Sequence, residues 1–240
     1  MPLNLAFITW LLLAAVSAAS GAAAADGPAL PQTGGPIITD TAVPQATGRF
    51  AIQPYASLSL QGGNFSGSWR RVSAKGDFLS LEVPVKLTYG LVKDTEIYLF
   101  VPYIQNWGSG MGDAGARGSR SAQYGGLGDI FLALKYQLLA ETQYRPTVSG
   151  LLGVNFPTGH HSHLNAGKSG LDALGDGAYS FTLGFNFSKW LRPFYLYANV
   201  WYSLATHSVP RLAHQLTGPL ITPPVHDRDV LTVNLAAECV

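Results

Sequence analysis

Cysteine is almost absent. Cys239 stands alone, so neither an internal disulfide framework nor a cysteine zinc cluster can hold the chain together. Charge is scarce too. Only 12% of residues are Asp, Glu, Lys or Arg, about half the share of an ordinary soluble domain. The formal net charge of +1 supplies no basic surface for a nucleic-acid partner. The sequence has no nucleophile elbow and no pair of carboxylates whose spacing alone would mark an acid–base site. What it does have is apolar mass, glycine and tyrosine in 240 residues, enough for one sizeable domain.

The first residues, MPLNLAFITWLLLAAVSAASGAAAADGPAL, carry an apolar core from Leu5 to Val16 and then small residues, with Ala23-x-Ala25 before Asp26. This is the pattern of a cleaved secretory signal peptide over 1–25, although no Lys or Arg precedes the core. An uncleaved anchor would need about 20 apolar residues, and Ser17, Ser20 and Gly21 interrupt the run. Residues 26–47, rich in Pro, Gly and Thr, read as a flexible periplasmic lead-in.

From residue 48 onward the apolar residues fall at every second position, the period of a strand with two unlike faces. In GGLGDIFLALKYQLL, Ile130, Leu132, Leu134, Tyr136 and Leu138 alternate with Asp129, Ala133, Lys135 and Gln137. In DFLSLEVPVKLTYGL, Leu79, Leu81, Val83, Val85, Leu87 and Tyr89 alternate with Ser80, Glu82, Lys86 and Thr88. Pro54 falls on the apolar face of the first such segment, so that strand is expected to bend or to lie at an edge. About eight strands are expected, each near the nine to eleven residues that cross a bilayer when tilted.

Short links at 92–94, 140–146 and 188–192 alternate strictly with long ones at 61–76, 105–126, 158–176 and 205–226. Periplasmic turns and extracellular loops alternate in this way in an outer-membrane barrel. A soluble sandwich also has half-buried strands, but its outward face is rich in Lys and Glu. Here the polar face is mostly Ser, Thr, Asn, Gly and aromatics. The residues therefore predict an all-β fold, an antiparallel transmembrane up-and-down β-barrel over 48–240 in the bacterial outer membrane. The lipid bilayer would be its surroundings and the barrel-assembly machinery its partner during biogenesis.

The motifs Gly126-x-Gly128-Asp129, the strand ending Lys135-Tyr136, Pro157-Thr158-Gly159 and the aromatic strand 195–202 occur in that order. In this they resemble the phenol-degradation MetA-pathway family of outer-membrane β-barrel proteins, regarded as transporters of aromatic compounds. The resemblance covers roughly residues 50–238. It implies about twelve strands and a C-terminal aromatic residue, whereas this chain stops at AAECV. The expectation is that the eight visible strands belong to a twelve-stranded barrel, incomplete at the C-terminus.

If the aliphatic face meets lipid, the other face lines a lumen, because Lys at the bilayer midplane costs about 2–4 kcal/mol. The expected lining is Glu82, Lys86, Glu96, Tyr98, Phe100, Asp129, Phe131, Lys135, Asn155, Tyr195, Tyr197, Asn199 and Trp201. Aromatic faces and scattered polar groups suit small, weakly polar or aromatic solutes. The blander reading is that the rings fill and stiffen the barrel while Glu82 or Glu96 neutralises Lys86 or Lys135. The histidines of GHHSHLNAGKSG could be drawn as a metal site or the segment as a phosphate loop, but Ser162 stands where the first glycine is required. A solvated loop is the better reading.

The function expected is passive solute uptake, without covalent chemistry, cofactor or metal. The loop 105–126 is the candidate to fold inward and narrow the entrance. The alternatives are a structural or loop-presenting barrel without a pore, and a barrel enzyme acting on lipids or esters.

Overall fold

The computed structural model describes residues 39–65, 70–111, 120–168, 170–206 and 229–239. The signal-peptide segment, most of the lead-in and the link 207–228 lie outside the described residues. The rest is a single antiparallel sheet curled into half a barrel. Its strands are β1 (Phe50–Pro54), β2 (Ser57–Phe65), β3 (Arg71–Val92), β4 (Thr95–Met111), β5 (Arg120–Leu127), β6 (Ile130–Leu139), β7 (Thr147–Phe156), β8 (Ser180–Leu191), β9 (Phe194–Ala205) and β10 (Val230–Cys239). Both β1 and β2 pair with β3, and both β5 and β6 pair with β4. The ten strands are thus eight passes across the sheet, the number the alternation predicts.

The two interruptions share a cause. Pro84 on β3 lies opposite Pro102 on β4. The Pro84 carbonyl accepts the Tyr55 N–H at 3.2 Å and the Pro102 carbonyl accepts the Gly128 N–H at 2.9 Å. In an antiparallel strand the N–H and C=O of one residue point to the same side. The two missing proline N–H groups therefore aim at the first and fourth passes, the places where β1 gives way to β2 and β5 to β6. The bend expected from Pro54 is present, and it forms one end of a transverse line of broken ladder across four adjacent passes.

Sidedness follows the period of two. Along β8, Phe181, Leu183 and Phe185 are exposed while Thr182, Gly184, Asn186 and Ser188 are buried. Along β9, Leu196, Val200, Tyr202 and Leu204 are exposed while Tyr195, Tyr197 and Asn199 are buried. The convex surface is thus an apolar band, with Leu58, Leu152, Leu231 and Leu235 among its exposed members. Among the described residues no apolar layer covers it, and the buried apolar cluster is small and lies on the concave side, where Tyr98, Ala133 and Leu151 pack with Phe131 and Trp201.

Two expected loops differ. Much of 61–76 and of 105–126 is strand, prolonging the hairpins β2–β3 and β4–β5. Ladder pairing already established below carries these Gly- and Ser-rich residues onward despite their low strand propensity. It is instead 157–179 that folds back over the concave face.

Candidate functional site: the plugged polar interior

The site starts from a register. Pairing of β4 with β6 sets Glu96 directly opposite Lys135, and pairing of β3 with β4 sets Lys86 opposite Phe100. All four side chains belong to the concave parity. Lys135 is 0% exposed and Glu96 3%, and Lys135 Nζ lies 2.7 Å from Glu96 Oε1. The bland expectation of a neutralising Glu–Lys pair is met here.

A segment that the strand pattern does not announce completes the cluster. Asp40 enters the half-barrel from the N-terminal side of β1 and its carboxylate takes both lysines, Lys86 Nζ at 2.7 Å and Lys135 Nζ at 3.3 Å. Lys135 also donates to the Thr41 carbonyl at 2.7 Å. Across the cavity, Asn199 of β9 grips the Asp40 backbone twice, accepting its N–H and donating to its C=O, each at 2.8 Å. The Ala42 N–H donates to Ser188 Oγ at 2.8 Å, and the Gln45 N–H to Glu96 Oε2.

Residues 39–45 therefore lie across the concave face, held by β3, β4, β6, β8 and β9. The lead-in was expected to be unstructured throughout; its last part is docked because its backbone groups replace water for the polar wall. Burial pushes the Asp40 carboxyl up, but Lys135 and then Lys86 outweigh burial and hold it below the usual carboxylate range.

Aromatic rings lie flat on the same face. Phe131 covers Gly153 and Trp201 covers Gly184; a Cβ at either glycine would run into the ring. Trp201 Nε1 donates to Asn186 Oδ1 at 2.7 Å, and Asn199 Nδ2 donates to the same oxygen at 3.0 Å. Lys86 Nζ sits 4.3 Å over the Tyr98 ring, whose centroid is 6.1 Å from that of Phe131. Phe100 meets Tyr55 at 5.8 Å. Tyr195 and Tyr197 are buried with ring centroids 4.8 Å apart, and the Tyr197 hydroxyl donates to Glu238 at 3.0 Å. Glu82 is partly buried on β3 beside Ser57 and Ile104.

Two of the expected lining residues, Asp129 and Asn155, take part in fixing a loop. Asp129, in the break between β5 and β6, accepts the Gly159 and Asp176 N–H groups at 2.8 Å each. Asn155 donates to it at 3.4 Å. Thr158 Oγ1 accepts the Ile130 N–H and donates to the Gly128 carbonyl, both at 3.0 Å. The Gly-x-Gly-Asp and Pro-Thr-Gly motifs are thus one knot, tying the loop 157–179 to the rim. Beyond it Leu171, Asp172, Leu174 and Ala178 are buried, and Asn106 Nδ2 of β4 donates to the Leu171 carbonyl at 2.9 Å.

The loop histidines each have a separate partner. His160 Nδ1 meets the Asp172 carbonyl at 2.7 Å, and His161 Nδ1 the Gly159 carbonyl at 2.8 Å. His163 Nδ1 meets Ser162 Oγ at 3.3 Å. Lys168, the lysine of the phosphate-loop reading, lies over the Tyr124 ring at 3.9 Å.

Sequence reasoning missed Asp40, Ser188 and Leu171. The first sits in a segment without period and the last in a loop. Asp40 had one available signal: it is one of only two acidic residues in 26–47, otherwise Pro, Gly, Thr, Gln and apolar.

Fold and site define a class: an antiparallel barrel-type wall, greasy outside and polar inside, with its interior occupied by a segment and a loop of its own chain. Residues 84–215, more than half of the chain, match the model of the family described as "Putative MetA-pathway of phenol degradation". The chain belongs to that family, and the match takes in both rim motifs and the lysines of the charge cluster. No curated protein matches the chain.

Proposed function

We propose that this chain builds the wall of a bacterial outer-membrane channel through which small, weakly polar or aromatic solutes diffuse down their gradient, without cofactor or covalent chemistry. The observation that carries the reading is the inverted sidedness. Exposed Leu, Val and Phe cover the convex face while Lys135, Glu96, Asn199 and Asn186 are buried on the concave one. In water such an apolar band would drive aggregation; against acyl chains it is the stable arrangement. Strands of ten to twelve residues such as β7, β8 and β9, at about 3.3 Å per residue and tilted near 40°, span roughly the hydrocarbon thickness. The family name adds the link to phenol breakdown.

The channel reading requires a wall that continues from β1 round to β10, and movement of the segment 39–45. A second reading, a closed barrel with a structural role, is favoured by how fully segment and loop occupy the interior. Planar-bilayer conductance and liposome swelling with aromatic acids, using folded full-length protein, separate the two. The channel reading expects discrete conductance steps and swelling. Folded protein that gives neither leaves the structural reading.

A further inference from the structure

Within the segment 39–45 the charge offered to the wall is the Asp40 carboxylate, and it is held as a ligand would be held. Two ammonium groups from different passes, Lys86 and Lys135, take its two oxygens, with Lys135 fully buried and pinned from behind by Glu96. Rings border the position on the same face: Tyr98 beneath Lys86, Phe131 against Tyr98, and Phe100 with Tyr55.

With Asp40 in place, Lys86, Lys135, Glu96 and Asp40 sum to zero charge. When the segment leaves, the buried Lys135 and the partly buried Lys86 face one carboxylate, and an uncompensated charge in such a place is strongly unfavourable. An incoming anion of the same geometry restores the balance. We infer that Lys86 and Lys135 form a carboxylate-binding site in the channel interior, filled at rest by the chain's own Asp40, and that its external ligand is a small aromatic monocarboxylate whose ring lies on Tyr98 and Phe131. Solute entry and plug release are then one exchange reaction: the solute carboxylate takes the lysines as Asp40 gives them up. This inference rests on the channel reading for its purpose, but its test does not.

The test is equilibrium binding of benzoate to the folded full-length protein in detergent, with benzyl alcohol as the neutral analogue of equal shape. In the wild type Asp40 competes, so apparent affinity is reduced by the fraction of time the site is self-occupied. Asp40→Asn is expected to bind benzoate roughly tenfold or more tightly than wild type, with benzyl alcohol unchanged. Adding Lys86→Gln should abolish that gain and Lys86→Arg should retain it.

A second measurement on the wild type covers the case in which Asp40→Asn does not fold. Millimolar benzoate should speed amide hydrogen exchange at 39–45, and benzyl alcohol should not. Equal binding of benzoate by wild type and Asp40→Asn, an equal response to both ligands, or unaltered exchange overturns the carboxylate site. Conductance recorded in parallel tests the channel on its own: a conducting protein with no benzoate preference keeps the channel and loses the site. Benzoate binding without conductance keeps the site and loses the channel.

Discussion

Lys135 shows how much one side chain carries. It is buried with two carboxylates and a carbonyl around its ammonium, and replacing it with Met would leave Glu96 buried without its cation and Asp40 held by Lys86 alone. Breaking a buried pair in this way costs about 3–5 kcal/mol, which denaturant titration in detergent should read. Asp40 titrates in the opposite sense to a histidine switch. Its folded-state pKa lies below the unfolded value of about 3.9, so the stability it adds is complete above that value and is lost as pH falls through the folded one. The groups facing it are Lys86 of β3, Lys135 of β6, Glu96 and Tyr98 of β4, Asn199 of β9, and Tyr55 between β1 and β2. The protection factors for amide exchange at 39–45, taken against the unstructured-chain rate at the same pH, should therefore be as large at about pH 5 as at about pH 7, and fall only below about pH 4. At this scale the sequence was half legible. A charged residue on the polar face of an alternating strand, such as Lys86, Glu96 or Lys135, announces its own orientation. Asp40 lies outside any strand, and its partners are set by tertiary docking that no local period encodes.

Among the elements, the strands were read most securely because a period of two leaves a face no choice. The loops were read least well. The segment 105–126 looks like a mobile loop by composition, but its described parts, 105–111 and 120–126, continue the β4–β5 ladder, whereas 157–179 looks equally loose and is the part that folds inward. What separates them is Asp129, whose two oxygens fix Gly159 and Asp176. Hydrogen bonds to a charged group contribute about 1.5–3 kcal/mol each. Asp129→Ala should therefore release the loop without dissolving the sheet. Limited proteolysis is expected to cut within 160–172 at least about tenfold faster than in wild type, while the strand content by circular dichroism stays constant. On β8, Gly184→Val would push the Trp201 ring off the sheet. Such overpacking costs about 1–3 kcal/mol and should lower the unfolding midpoint.

At the scale of the molecule, the described strands are inside-out. Their polar residues are buried in the concavity and their aliphatic residues are exposed on the outside, so stability depends on what the outside touches. An arginine at Leu183, on the exposed face of β8, should cost about 2–4 kcal/mol in a bilayer, far more than it would on a surface facing water. Cysteine scanning along 181–188 in the Cys239→Ser background tests this orientation most directly, each cysteine carrying a fluorophore and the protein reconstituted in bilayers of brominated lipid. The account predicts strong quenching at 181, 183, 185 and 187 and little at the positions between. Quenching at 182, 184, 186 and 188 instead, or no alternation at all, would contradict it.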